Sequence, residues 1–160
     1  MPTLTFETLV HAPLSRVWAF HQDVIHALPS LSPPSAHLKV ESADLPVRTG
    51  SRIVIAAGGP LGVRLRWVAR IVEHRPPTSG GPGAVACFVD EQESGPFKSW
   101  RHEHDLREVS PGTTRVTDRV TYRVRFGPLG KLADWLFVRR QVEAMFRHRQ
   151  AILPAQLSQR

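Results

Sequence analysis

Val116-Thr117-Asp118-Arg119-Val120-Thr121-Tyr122-Arg123-Val124-Arg125-Phe126 alternates strictly, and Gly127-Pro128-Leu129-Gly130 ends it. Valine, tyrosine, phenylalanine and one aspartate share one face, while threonine and arginine share the other. That is the period of a strand with one buried face. After Gly130 the period changes. Trp135, Val138, Val142, Met145, Phe146, Ile152 and Leu153 recur at helical spacing, which predicts a long helix to about Leu157. About 25 residues of helix would span ~37 Å, enough to lie across a whole sheet. Pro154 predicts an end or a bend in its last turn.

The strand period recurs upstream. Strands are predicted over Leu4–Val10, His37–Glu41, Ser51–Ala57, Val63–Glu73, Ala84–Gln92, Phe97–Val109 and Thr113–Phe126. Turn residues separate the later ones: Gly58-Gly59-Pro60-Leu61-Gly62, Ser94-Gly95-Pro96 and Ser110-Pro111-Gly112. The richest breaker stretch, from Pro76 to Gly83, reads as a surface loop. Pro13 opens one short helix, with Val17, Trp18 and Phe20. A second covers Asp23 to Leu28 and is stopped by Pro29, Pro33 and Pro34. Strands joined by short turns form an antiparallel sheet. Its apolar face needs a cover, and the C-terminal helix is the element long enough to supply one. The expected fold is α+β: a curved antiparallel sheet of about seven strands around a long C-terminal helix, with two short helices after the first strand. One domain is expected over 1–160, with a cavity between sheet and helix.

Composition narrows the function classes. The chain has 160 residues, 41% hydrophobic and 22% charged, which is a globular balance. No apolar run approaches the ~18 residues of a transmembrane helix, so no stable membrane insertion is expected. The N-terminus shows no basic leader, and a cytoplasmic address is expected. Cys87 is the single cysteine, which excludes an internal disulfide and a multi-cysteine zinc site. The net charge is +7, but 18 of the 21 basic residues are arginines scattered along the chain. That pattern reads as a solvated basic surface, and no nucleic-acid partner is expected.

Alternation also assigns faces. Trp100, His102, His104 and Leu106 share one face; Ser99, Arg101, Glu103 and Asp105 share the polar other. Two histidines therefore point inward, as do Asp118 and Tyr122 on the next strand. For Phe88, Asp90 and Gln92 the inward face is not assigned. A buried carboxylate needs a partner. The turn at Ser110–Gly112 sets His104 level with Asp118, and a register slip would bring His102 instead.

Four roles suit this group. It can be an internal Asp–His bond that fixes strand register. It can be the polar anchor of a small-molecule cavity. The candidate ligand-binding residues are then Phe6, Trp67, Phe88, Trp100, His102, His104, Asp118, Val120, Tyr122, Val142 and Phe146. It can supply acid–base catalysis, with candidates His102, His104, Asp118 and Tyr122. Lastly, His102, His104 and Asp118 have metal-ligand chemistry but lack an obvious fourth inward ligand, so no metal and no cofactor are expected. His21 is read with Asp23 as capping or linking the short helices. Arg149 is read as a snorkelling side chain able to reach a carboxylate at the cavity mouth.

The element order resembles the helix-grip fold of the START and pollen-allergen-like superfamily, also called the SRPBCC or polyketide cyclase/dehydrase group. The local matches are similar to a bacterial ligand-binding subfamily of it. They are Ala12-Pro13 with Val17-Trp18-Ala19-Phe20-His21, then Leu31-Ser32-Pro33-Pro34. Gly95-Pro96-Phe97-Lys98-Ser99-Trp100-Arg101-His102-Glu103-His104 follows, then Asp118-Arg119-Val120-Thr121-Tyr122 and Gly127-Pro128-Leu129-Gly130. The resemblance implies binding, transport or sequestration of a small hydrophobic, aromatic or lipid-like molecule in an internal cavity, by a monomer or homodimer. A cyclase/dehydratase-like enzyme is the alternative it leaves open.

Overall fold

The alternation in Val116–Tyr122 is realised as a fully buried row: Val116, Val120 and Tyr122 are 0% exposed and Asp118 is 2%. The computed structural model describes residues 1–58, 62–125, 127–128, 132 and 137–158. Its elements are β1 (Thr3–Val10), α1 (Leu14–Gln22), α2 (Val24–Ser30), a 3-10 turn (Pro34–Ala36), β2 (Lys39–Ala43), β3 (Arg52–Gly58), β4 (Arg64–Arg75), β5 (Val85–Ser94), β6 (Ser99–Ser110), β7 (Thr113–Arg123) and α3 (Arg139–Ser158).

The seven strands form one sheet in the order β1-β7-β6-β5-β4-β3-β2, every neighbouring pair antiparallel. Consecutive strands from β2 to β7 simply meander. β1 returns to the far edge of β7, with Phe6 opposite Asp118. This is the expected α+β helix-grip architecture.

Boundaries differ in instructive ways. β2 starts at Lys39 rather than His37, because His37 closes the 3-10 turn in the left-handed region at φ 44°. β6 starts at Ser99 rather than Phe97. The Gln92 side chain holds both Phe97 N–H (3.2 Å) and Phe97 C=O (2.9 Å), tying that residue into the turn. α2 runs past Pro29, and α3 runs through Pro154 to Ser158. Leu153 and Leu157, 1% and 3% exposed, pin the last turn of α3 to the core on either side of the proline. The expected first part of the long helix, with Trp135, lies outside the described residues, as do Phe126 and Gly59-Pro60-Leu61.

Apolar packing is divided along α3. Its C-terminal part packs Leu153 and Leu157 with Val10, Leu14, Val17, Leu106 and Val116. Its middle packs Val142 and Phe146 with Leu4, Trp100, Val120 and Tyr122. A third cluster joins Val24 of α2 to Val47, Ile53, Ala69 and Ile71. Each fully buried aliphatic or aromatic side chain in these clusters contributes about 1.5–3 kcal/mol.

Glu108 joins the first cluster to the sheet. It is 4% exposed, and it accepts the N–H groups of Leu14 (3.0 Å) and Gly112 (3.1 Å). The carboxylate thus caps the N-terminus of α1, where Pro13 provides no side-chain cap. These backbone donors hold its pKa below the usual glutamate value of 4.5. A depressed folded-state pKa contributes stability above the unfolded pKa and loses it as pH falls through the folded one. Glu108→Gln is therefore expected to lower the Tm by several degrees at pH 7. The gap to wild type should shrink in melts recorded at pH 3.

Candidate functional site

Between the concave face of the sheet and the helices lies a cavity of about 850 Å³. Period two selects its sheet lining: Ile53, Ile55 and Ala57 on β3, Trp67, Ala69 and Ile71 on β4, Phe88 and Asp90 on β5, and Trp100, His102 and His104 on β6. Val138, Val142, Met145 and Arg149 follow at helical spacing on the facing segment, with Phe146 beside them. α1 and α2 close one end through His21, Gln22, Val24 and Ala27.

Among the predicted ligand-binding residues, Trp67, Phe88, Trp100, His102, His104, Val142 and Phe146 line this cavity. Phe6, Asp118, Val120 and Tyr122 do not. Phe6 lies behind Phe146, ring on ring at 4.9 Å. Val120 and Tyr122 are packed solid in the middle cluster. They sit on the inward face as expected, but at the end of the sheet that α3 contacts directly, and there the sheet and helix leave no gap.

The polar groups form one network. His102 donates Nε2–H to Asp118 Oδ1 at 2.8 Å. His104 stands directly opposite Asp118 in the strand register, and its Nδ1 lies 3.1 Å from the same oxygen, at an angle too bent for a hydrogen bond. Asp118 thus lies between the two imidazoles: the register is the expected one, opposite His104, and no slip occurs, yet the hydrogen bond goes diagonally to His102. Behind them, Arg149 Nη1 approaches Asp118 Oδ1 at 3.4 Å. On the cavity side His104 Nε2 bonds Asp90 Oδ2 at 3.3 Å, and His102 Nδ1 lies 3.6 Å from that oxygen. The ring of Phe88 stacks on His104 with centroids 3.9 Å apart, and His102 follows at 3.7 Å, tilted by 41°.

The electrostatics follow from this crowding. Burial raises the pKa of Asp118, but the His102 bond, the adjacent His104 and the Arg149 charge overcome it and hold the carboxyl well below the usual range. Asp90 is lowered too, burial opposing and the two histidines prevailing. Burial and the charge of His104 push His102 down to about 4, so it is neutral at pH 7. For His104 burial acts downward, but the two carboxylates reverse it and raise its pKa. Burial drives His21 down to about 4, with His104 acting in the same direction.

Three members were not placed here by sequence reasoning. Asp90 lay on the strand whose face was unassigned. Counting back through the Ser94-Gly95-Pro96 turn would have set it opposite Trp100; the turn is longer than it reads, and Asp90 stands opposite His102. His21 is not a link to Asp23. Its Nδ1–H donates to Val17 C=O at 2.8 Å, and its ring faces His104 at 6.1 Å. The helical recurrence of Leu14, Val17 and His21, all buried, was the available signal. Arg149 does reach a carboxylate, but an interior one, with its side chain only 12% exposed.

Buried polar side-chain atoms without a protein partner occur among the described residues. Trp67 Nε1, Gln22 Nε2 and His21 Nε2 are buried, unpaired and carried by lining residues. Gln22 Oε1 is already engaged by His74 at 2.7 Å. No helix among the described residues is long and apolar enough to cross a membrane.

A meandering seven-stranded sheet, a long C-terminal helix and a cavity between them define the helix-grip class. Residues 10–151 match the family model for polyketide cyclase/dehydrase and lipid transport proteins, and the chain belongs to that family. The fold is shared with a START superfamily protein from Mycobacterium smegmatis (12% identity, TM-score 0.70, covering 98% of this chain and 97% of that one). It is also shared with the di-domain ARO/CYC protein BexL of the BE-7585A biosynthetic pathway (23%, TM-score 0.68, 99% of this chain and 47% of that one). Norcoclaurine synthase from Thalictrum flavum, solved with dopamine and hydroxybenzaldehyde, is a third (12%, TM-score 0.58, 95% and 86%). No curated protein matches the sequence.

Proposed function

We propose that this chain is a binding protein for a small, mainly hydrophobic molecule bearing oxygen groups, of aromatic, polyketide-like or lipid-like character. The observation that carries the reading is the cavity itself: about 850 Å³ and apolar over most of its wall, with Asp90, His102 and His104 as polar groups on it. Apolar burial drives uptake at ~25 cal/mol per Å². Asp90, His102 and His104 on the wall then supply polar partners for an oxygen group of the guest. Membership of a family described by cyclisation, dehydration and lipid transport supports this class of guest. The reading takes the chain as one domain over 1–160, acting in the cytoplasm as a monomer or homodimer without a nucleic-acid partner.

A cyclase/dehydratase activity is the second reading, favoured by two adjacent imidazoles on the cavity wall whose pKa values are pushed apart, His102 downward and His104 upward. It would use His102 and His104 as acid and base. Asp118 would position them from behind, and Tyr122, 0% exposed, lies too deep to touch a substrate.

Ile55→Trp with Ala57→Trp tests the binding reading, since both side chains project from β3 into the cavity. Affinity for 1-anilinonaphthalene-8-sulfonate, read by fluorescence, is expected to fall at least about tenfold, or about 1.4 kcal/mol. Far-UV circular dichroism should stay unchanged. Full uptake by the correctly folded double variant would contradict the reading.

A further inference from the structure

The His–Asp network has a second property, independent of the cavity's guest. Asp118 engages one nitrogen of each imidazole from behind, 2.8 Å from His102 Nε2 and 3.1 Å from His104 Nδ1. The other two nitrogens, His102 Nδ1 and His104 Nε2, are thereby turned on Asp90 Oδ2, at 3.6 and 3.3 Å. Asp90, His102 and His104 each place one donor atom within 4.8 Å of the other two, and all three residues line the cavity. With its proton on Nε2, His102 presents a lone pair at Nδ1 toward a carboxylate oxygen. The His104 Nε2 proton occupies the approach to Asp90, so a cation binding among the three groups displaces that proton, as ligation by imidazole does.

Ligand distances supply a scale. Imidazole nitrogen and carboxylate oxygen bind zinc at about 2.0–2.2 Å, so two ligands of a tetrahedral site stand about 3.4 Å apart. The separations from Asp90 to each ring match that edge. We propose that Asp90, His102 and His104 form a binding site for a first-row divalent cation of the zinc, cobalt or iron(II) class. Asp118 is its outer carboxylate, shared by both histidines, and Arg149 neutralises that carboxylate from behind. Outer carboxylates of this kind fix ring orientation and raise ligand basicity. The donor set of two imidazoles and one carboxylate, with no thiolate, excludes the soft sites. The triad visible in the sequence had Asp118 as third ligand. The geometry assigns that place to Asp90, because Asp118 occupies the opposite nitrogens. The open coordination positions face the cavity, where water or an oxygen of a guest completes the shell.

The test is a titration of the full chain, stripped with EDTA, with Co²⁺ alone. One equivalent is expected to bind and to give visible d–d absorption, which Zn²⁺ abolishes by competition. Asp90→Asn changes one atom of a partly accessible side chain and is expected to remove the spectrum. His104→Phe keeps the ring stack on Phe88 and should also remove it. Asp118→Asn should weaken binding about 10–100-fold without abolishing it. Absence of stoichiometric Co²⁺ binding by the wild-type chain would overturn the proposal. So would an unaltered spectrum in Asp90→Asn, which would place the ion elsewhere. Dye uptake by the metal-free chain is a separate readout, so failure here leaves the binding reading untouched.

Discussion

Asp118→Ala is expected to destabilise the fold by about 3–5 kcal/mol, the usual cost of removing one partner from a buried charge pair. For a chain of this size that lowers the Tm by roughly 10–15 °C. The loss arises mainly from the groups left behind. His102 loses the acceptor at 2.8 Å, and Arg149 loses its carboxylate at 3.4 Å while its side chain stays 12% exposed. His104 keeps only Asp90. The double variant Asp118→Leu, Arg149→Met removes both charges and replaces them with apolar volume. It should recover much of the stability, because a buried ion pair is often exchangeable for hydrophobic packing. Thermal melts of the two variants decide the matter. A double variant as unstable as the single one would show that Asp118 acts through strand register rather than through charge.

Phe146→Ala is expected to cost about 3–5 kcal/mol, in the range of other buried phenylalanine truncations. The side chain is 2% exposed and makes three distinct contacts. It stacks on Phe6 at 4.9 Å, meets His102 edge-on at 5.0 Å and lies under the Arg149 guanidinium at 5.4 Å. Its loss loosens α3 from the sheet and joins the void to the cavity. Phe6→Ala removes the outer half of the same stack from a half-buried position and should cost clearly less. Equal losses in chemical denaturation would mean that the stack, rather than burial of Phe146, holds the helix.

Much of the arrangement is legible in the pattern of residues along the chain. The strand alternation assigns Trp100, His102, His104 and Asp118 to the inward face, and the Ser110-Pro111-Gly112 turn sets His104 level with Asp118. Alternation is a local property, fixed by the period of the pleat, and it survives folding unchanged. It says which way a side chain points but not what lies opposite. Val120 and Tyr122 point the same way as His102, yet they meet the helix where His102 meets open space. Asp90 and Arg149 come to His102 and Asp118 from a neighbouring strand and a helix. Those approaches depend on sheet curvature and on the path of α3.

What the chain's own pattern determined is therefore the order of elements, the inward face of most strands and the chemistry of the groups on it. Those follow from interactions between residues a few positions apart. Which of those groups border a cavity, which are sealed in the core, and which second carboxylate faces the histidines were decided by the tertiary structure alone. The distance between sheet and helix is set by the sum of many side-chain volumes along the interface. No stretch of sequence carries that sum, and packing at near-crystalline density converts small differences in it into either contact or space.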